Sequence, residues 1–245
     1  MSLTDKIEIP RRTMVLFFII DTSGSMDGSK IGAVNVAIEE VLPAIKEVSD
    51  ENADAQIKIA ALEFSSGARW ITETGPVEAE QFRWNYLDAA GVTDFGEACK
   101  ALNDKLSTKA FMKEATGSFA PALFLLSDGE PTDDWQNALT ELKKNNWFKA
   151  GVKVAIAIGD DANKDVLKEF TGSMESVLET HNAATLKKMI KFVSVRASQV
   201  ASKSTNVGDS DADLGDEQKQ QELNANLQEF AEEIAAAPNN DQLDW

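Results

Sequence analysis

The stretch that decides the fold is T-M-V-L-F-F-I-I-D-T-S-G-S-M at residues 13–26, an apolar run that stops at Asp21. A run of this length without polar alternation, rich in aliphatic and aromatic side chains, predicts a strand that is buried on both faces. The run is too short to span a bilayer, and it lacks the small-residue cleavage site of a signal peptide. The sequence therefore predicts an internal strand that carries an acid and several hydroxyls at its carboxyl end.

Similar apolar segments alternate with amphipathic segments along the rest of the chain. Further strands are predicted at residues 56–64, 120–127 and 152–158, with two weaker candidates at 68–72 and 175–179. Helices are predicted at residues 31–48, 96–106, 135–146, 162–170 and 183–198. This alternation predicts an α/β fold with a doubly wound, mainly parallel central sheet and helices on both faces. In such sheets, ligands bind outside the carboxyl ends of the strands.

The composition changes after about residue 202. Residues 203–216 are rich in Ser, Asp and Gly, which predicts a flexible linker. Beyond the linker, an amphipathic acidic helix ending before Pro238 is predicted from an apolar stripe of Leu223, Leu227, Phe230 and Ile234. We expect the stripe to fold back on the domain, because an exposed apolar stripe is a liability. The predicted organisation is an N-terminal extension at 1–10, one domain at 11–200, and an acidic linker with a tail helix at 201–245.

The charge and the cysteine content exclude several classes of function. The net charge is −17, and residues 203–245 alone carry eleven acids and two lysines. Binding to nucleic acid or to an acidic membrane needs clustered Lys and Arg, so neither is expected. The single cysteine, Cys99, excludes an internal disulfide framework and a multi-cysteine metal site. These features favour a cytoplasmic protein that binds cations or other proteins.

Three polar segments supply a candidate metal site. They read D-T-S-G-S at 21–25, G-V-T-D at 91–94 and L-S-D-G-E-P-T at 126–132. The first and third each follow a predicted buried strand and the second leads into a helix, so all three are expected at one edge of the sheet. Together they offer only oxygen ligands, which suit a hard divalent cation and discriminate against zinc or copper. The candidate ligands are Asp21, Ser23, Ser25, Thr93 and Asp128.

These residues resemble the metal-ion-dependent adhesion site of the von Willebrand factor type A (vWA) domain. That site has the pattern D-x-S-x-S, then a Thr, then an Asp, and the five candidate ligands match it one for one. The resemblance covers about residues 11–200 and implies the Rossmann-like vWA fold. It also implies a bound Mg²⁺, with Mn²⁺ or Ca²⁺ as alternatives. The implied function is binding rather than catalysis, in which an Asp or Glu of a partner protein completes the coordination of the metal.

The sequence around the motifs is similar to that of one bacterial branch of the family. The phrases P-R-R-T-M-V-L-F-F-I-I-D-T-S-G-S-M, G-V-T-D-F-G-E-A and L-L-S-D-G-E-P-T-D-D-W resemble the TerY-like proteins. That branch is linked to tellurite-resistance and stress-response gene clusters. The resemblance implies a protein kinase or a phosphatase of the same cluster as a candidate partner.

Two alternatives remain open at this stage. An Asp that ends a buried strand also resembles the nucleophile of haloacid-dehalogenase-like phosphotransferases. That family places a second Asp two residues further on, where this chain has Ser23. In the other alternative, the tail inhibits the module, because Asp241, Asp244 or a glutamate of the tail helix competes with the partner for the metal.

Several single residues are predicted to be structural. Cys99 is expected to be a small core residue, and His181 to lie beside a helix start at Asn182. For Met26 and Trp135 the alternatives are an apolar rim for a partner and ordinary packing, and packing is favoured. The acids Asp133 and Asp134 precede a predicted helix, where they would complement its dipole, although a place around the metal is the alternative.

Overall fold

The computed structural model describes residues 11–114, 117–203 and 212–236, and only the backbone of residues 212–214. The strands are β1 (Arg12–Asp21), β2 (Ala55–Ser65), β3 (Gly67–Trp70), β4 (Val77–Glu78), β5 (Ala122–Ser127), β6 (Val152–Ile158) and β7 (Val177–Thr180). The helices are α1 (Ser29–Glu51), α2 (Phe95–Lys105), α3 (Trp135–Leu142), α4 (Asn146–Ala150), α5 (Lys164–Thr171), α6 (Ala183–Ala201) and α7 (Ala212–Ala236). Short 3₁₀ turns lie at Gly24–Met26 and Met174–Ser176.

The strands form a mainly parallel sheet in the order β3-β2-β1-β5-β6-β7, with β4 also paired to β2. Strands β1, β2, β5, β6 and β7 are parallel, whereas β3 and β4 run antiparallel to β2. The predicted fold class is therefore confirmed. Strand β1 lies at the centre, so its carboxyl end lies in the middle of the edge where such folds bind ligands.

The apolar run of β1 divides its side chains between two cores. The even-numbered residues 14–20 face one core together with α1 and α6, and the odd-numbered residues 15–19 face the other with α2, α3 and α5. All of these side chains are at most 1% exposed. Burying one such side chain stabilises the fold by about 1.5–3 kcal/mol, which explains why the run shows no polar alternation.

The predicted helix at 135–146 is too long, because the helix stops four residues earlier and a second helix begins at Asn146. Helix α3 ends at Leu142, and Asn145 has an extended backbone that interrupts the helical path. The Asn145 side chain accepts hydrogen bonds from the backbone N of Trp147 at 2.9 Å and of Phe148 at 3.4 Å, and so caps α4. Asn is a favoured N-cap residue, and its capping bonds start a new helix here rather than continue the old one.

The tail helix packs on the domain, as the apolar stripe predicts. Leu223 and Leu227 are fully buried in the same core as the apolar faces of α1 and α6, and the ring of Phe230 stacks on that of Phe192 with centroids 3.9 Å apart. The helix begins at Ala212, so the predicted linker is wrong for residues 212–216, whereas 204–211 lie outside the described residues. Packing of this kind outweighs the local preference of Ser, Asp and Gly for loops.

Helix α7 also completes the hydrogen bonding of the sheet. Near the amino end of β6, the Gln220 side chain accepts from Lys153 N at 2.7 Å and donates to Lys153 O at 3.0 Å. The neighbouring strand β7 begins only opposite Ala155, so it does not reach these groups. In the same region, Ser176 Oγ donates to Asn224 Oδ1 at 2.7 Å. The tail helix therefore supplies partners for backbone groups that would otherwise be buried without any.

Across the residues that the structure describes, no helix combines the length and the apolar character needed to cross a membrane.

Candidate metal centre

The carboxyl ends of β1 and β5 lie side by side and carry the two acids of the predicted site. Asp21 is the last residue of β1, and Asp128 follows Ser127, the last residue of β5. The two strands pair in parallel with Ile20 opposite Leu126. Asp21 is 0% exposed and Asp128 is 2% exposed. Two carboxylates are thus buried at one edge of the sheet.

The Asp21 carboxylate is held by two donors. Ser23 N donates to Oδ1 at 2.8 Å, and Ser127 Oγ donates to Oδ2 at 2.6 Å. Burial raises the pKa of Asp21; hydrogen bonds from Ser127 and Ser23 lower it, and the charge of Asp128 raises it further. A cation bound beside Asp21 would offset both the loss of hydration and the repulsion from Asp128.

The Asp128 carboxylate is held by a hydroxyl and an ammonium group. Ser25 Oγ donates to Oδ1 at 2.7 Å, and Lys30 Nζ contacts Oδ2. Ser25 Oγ also lies 3.1 Å from Ser23 Oγ, within hydrogen-bond distance. Ser23 is buried and Ser25 is exposed, so the pair of hydroxyls connects the buried carboxylates with the surface.

The Thr93 hydroxyl approaches the same cluster from the loop before α2. Thr93 N donates to Thr132 Oγ1 at 3.2 Å, and Thr93 O accepts from Thr132 N at 2.8 Å. A Cβ atom at Gly129 would lie 3.0 Å from Thr93 Oγ1 and 3.3 Å from Asp21 Oδ2. The Thr93 hydroxyl and the Asp21 carboxylate therefore flank one small space, which the glycine leaves open.

The backbone fixes the first two site segments against each other. Gly24 N donates to Gly91 O at 3.1 Å, and Ala90 N donates to Thr22 O at 2.8 Å. With these contacts, the structure brings together all five residues that the sequence singles out: Asp21, Ser23, Ser25, Thr93 and Asp128.

Two further residues of the cluster were missed in the sequence. Ser127 is the hydroxyl donor to Asp21, and its position as the last strand residue before Asp128 is a signal that could have identified it. Lys30 could not have been identified in this way, because its approach to Asp128 depends on the direction in which α1 leaves the site.

Asp133 has a structural role that differs from the predicted one. Its carboxylate accepts from Gly96 N at 3.0 Å and from Glu97 N at 3.1 Å. It therefore caps the N-terminus of α2, whereas the sequence predicts an acid that complements the helix directly following it. Asp133 lies in the segment after Asp128, and α2 follows Thr93, so these hydrogen bonds connect two segments of the site.

The single residues singled out in the sequence are largely structural. Met26 is fully buried, and the ring of Trp135 packs against that of Phe95 with centroids 6.3 Å apart. Cys99 is a buried core residue, and burial raises the pKa of its thiol. His181 precedes the N-cap residue of α6, as predicted, and its Nδ1 lies 2.6 Å from Asp160 Oδ1.

The described contacts of the tail helix lie away from the cluster. The described part of α7 forms hydrogen bonds or ion pairs with Lys153, Glu175, Ser176, Ala201 and Lys203 on other elements. Among residues 217–236, none of the hydrogen bonds or ion pairs reaches a candidate ligand. A competing glutamate from the helix gains no support from this geometry, and the other two candidates, at 241 and 244, lie outside the described residues.

The donor set fits a hard divalent cation. Two carboxylates and three hydroxyls converge, and all of their donor atoms are oxygens. In the described ranges, no group of three or more His, Cys, Asp and Glu side chains is placed to hold a metal, so this candidate depends on its hydroxyls. Mg²⁺ accepts such neutral oxygens and keeps several waters, which the carboxylates could hold.

The fold and the cluster at its carboxyl edge define a class of α/β binding domain. The family model of the von Willebrand factor type A domain matches residues 16–192, well over half of the chain. The chain therefore belongs to the vWA family. Domains of this family commonly mediate protein–protein interactions and mostly lack enzymatic activity, and their adhesion site binds divalent metal.

Solved structures show the same fold. A von Willebrand factor type A protein from Catenulispora acidiphila matches with a TM-score of 0.55 and 20% identity over 76% of this chain and 43% of the other. The pilus adhesin SpaC from Lactobacillus rhamnosus GG matches with a TM-score of 0.57 and 13% identity over 76% and 30%. A search among curated protein sequences found no match.

A third solved structure with this fold contains zinc at its adhesion-site motif. Proximal thread matrix protein 1 from the mussel byssus, with zinc in its adhesion-site motif, matches with a TM-score of 0.55 and 16% identity over 76% of this chain and 48% of the other. The chain thus spans less than half of each of these three proteins. Zinc in that mussel protein shows that the motif is not restricted to Mg²⁺ throughout the fold.

Proposed function

We propose that this chain is a divalent-metal-dependent protein-binding module that acts as an adaptor or scaffold. Its ligands for the metal are the hydroxyls of Ser23, Ser25 and Thr93, and the carboxylates of Asp21 and Asp128 hold the metal's waters. The observation that carries the proposal is the convergence of these side chains, from three separate segments, at the carboxyl edge of the sheet.

Mg²⁺ is the metal we propose, with Mn²⁺ or Ca²⁺ as alternatives. A cation bound mainly by neutral hydroxyls keeps most of its positive charge and so attracts a carboxylate from outside. The chain's own residues hold the cation from the protein side, and the exposed position of Ser25 leaves the other side accessible. An Asp or Glu of a partner protein would complete the coordination there.

The setting we propose is a bacterial tellurite or stress-response system in the cytoplasm. The proposal rests on the similarity of the motif phrases to the TerY-like branch. A kinase or a phosphatase encoded in the same gene cluster is then the first partner to test. The net charge of −17 also favours a binding surface that uses a bound cation, because the protein otherwise repels acidic partners.

The test is affinity capture of the candidate kinase or phosphatase with the purified chain, with Mg²⁺ and with EDTA. We expect capture with Mg²⁺ and none with EDTA or with the variant Ser25→Ala. The matched control is Ser29→Ala, an exposed serine at the start of α1 outside the cluster. Capture that persists undiminished in EDTA would contradict the proposed mechanism.

The alternative of a phosphotransferase has weaker support. Both oxygens of Asp21 accept hydrogen bonds, and Ser23 occupies the position where an acid or base would be needed. Hydrolysis of a generic phosphate ester that is lost in Asp21→Asn would favour this alternative over the binding module.

A further inference from the structure

We propose that Lys30 is a tethered cation that neutralises Asp128 in the metal-free protein and opposes the binding of metal at the site. The inference rests on the proposed metal site. It assigns a role to Lys30, which is not one of the five candidate ligands and lies in the first turn of α1, a helix that begins four residues after Ser25.

The geometry around Asp128 carries this inference. The Lys30 ammonium contacts Oδ2, and Ser25 Oγ donates to Oδ1 of the same carboxylate at 2.7 Å. The side chain of Asp128 is 0% exposed and that of Lys30 is 16% exposed. Within the described residues, this is the only ion pair made by either carboxylate of the site.

The metal-free cluster needs a positive charge. Asp21 and Asp128 are both buried, so each has lost hydration, and they repel each other. A buried carboxylate without a partner is strongly unfavourable. Lys30 supplies a charge to Asp128 and so allows the cluster to keep its shape without a metal.

The same contact opposes metal binding. A cation held by the hydroxyls of Ser23, Ser25 and Thr93 would lie near Asp128, because Ser25 Oγ donates to Oδ1 of that carboxylate while Lys30 contacts its Oδ2. The cation and the Lys30 ammonium, both beside the same carboxylate, would repel each other in a partly buried site. Lys30 lies in the first turn of α1, and its flexible stem lets the ammonium move towards solvent when the metal arrives.

The variant Lys30→Met removes the charge and keeps a stem of similar length. In isothermal titration calorimetry at fixed ionic strength, we expect its dissociation constant for Mg²⁺ to fall by about tenfold, since one repelling charge is removed. Without metal, we expect Lys30→Met to unfold at a lower temperature than the wild type. Saturating Mg²⁺ should remove that difference, because the metal then neutralises the carboxylates.

Two control variants separate this effect from general changes in charge. Lys30→Arg keeps the positive charge, so its affinity should stay near that of the wild type. Lys46 is an exposed lysine that pairs with Asp50, far along α1 from the site. Lys46→Met should therefore change neither the dissociation constant for Mg²⁺ nor the unfolding temperature of the metal-free protein.

The outcomes distinguish this inference from the proposed function. If the wild type binds Mg²⁺ and Lys30→Met binds it no more tightly, the role of Lys30 is overturned and the metal site stands. If neither chain binds Mg²⁺, Mn²⁺ or Ca²⁺, both the metal site and the role of Lys30 are overturned.

Discussion

The carboxyl edge of the sheet, where the parallel strands end, and the amino edge, where they begin, differ in the kind of polar group that is buried there. At the carboxyl edge, buried carboxylates and hydroxyls are crowded together, with burial raising the pKa of Asp21. At the amino edge, Gln220 of α7 pairs with the free backbone groups of β6, and Leu223 fills the core beside it. At one edge buried charge is concentrated, and at the other α7 supplies hydrogen-bond partners that stabilise the fold. Residues at the two edges should therefore respond differently to substitution.

The largest expected effect belongs to Asp21. We expect Asp21→Asn to weaken Mg²⁺ binding by at least about 100-fold, since the side chain loses the charge that faces the cation. Circular dichroism should show an unchanged fold, because the side chain keeps its size and can still accept a hydrogen bond. The control is Asp134→Asn, an exposed acid that accepts a hydrogen bond from Asn137 and contacts none of the five candidate ligands in the described structure. Equal Mg²⁺ affinity in Asp21→Asn and the wild type would mean that this edge is not the metal site.

The next effect belongs to the opposite edge. We expect Leu223→Ala to lower the free energy of unfolding by about 2–5 kcal/mol, because it leaves a cavity in place of a fully buried side chain. Urea unfolding measures the loss, and Gln221→Ala, exposed on the same helix, is the control. The Mg²⁺ affinity should stay unchanged, since distant sites are usually independent. A parallel fall in the Mg²⁺ affinity would show that the two edges are coupled.

A smaller effect is expected at Gln220. The substitution Gln220→Ala removes the partner of both Lys153 N and Lys153 O, so we expect a loss of about 1–3 kcal/mol in unfolding free energy. Gln218→Ala, an exposed position two residues earlier, should change stability by less than about 0.5 kcal/mol. Amide hydrogen exchange at Lys153 should speed up in Gln220→Ala alone. Unchanged exchange would show that α7 does not protect this part of β6.

The sequence predicts most of the carboxyl edge because most of its residues lie beside a local signal. A two-sided buried strand has a continuous apolar run, and the polar residues of the candidate site follow such runs directly. Parallel strands then bring those residues together without any further information. Thr93 follows no strand, and its assignment came from its place in G-V-T-D at 91–94, the segment that leads into the predicted helix at 96–106.

The parts that sequence reasoning missed depend on contacts between distant segments. The bond of Gln220 to Lys153 joins residues 67 positions apart, and that of Lys30 to Asp128 joins residues 98 apart. The start of α7 was missed because Ser, Asp and Gly favour a loop locally, whereas Leu223 and Leu227 supply the burial that makes the segment helical. Asn145 divides a continuous helical pattern because its side chain caps the next helix.

Titration of the ¹⁵N-labelled chain with Mg²⁺, monitored through its amide chemical shifts, tests whether the carboxyl edge of the sheet binds the metal. We predict saturable shifts concentrated at residues 21–30, 91–94 and 127–130, with amides at the amino edge, such as Lys153 and Gln220, unchanged. Shifts that are absent, or that centre on any other part of the chain, would contradict the assignment of a metal site to the carboxyl edge of the sheet.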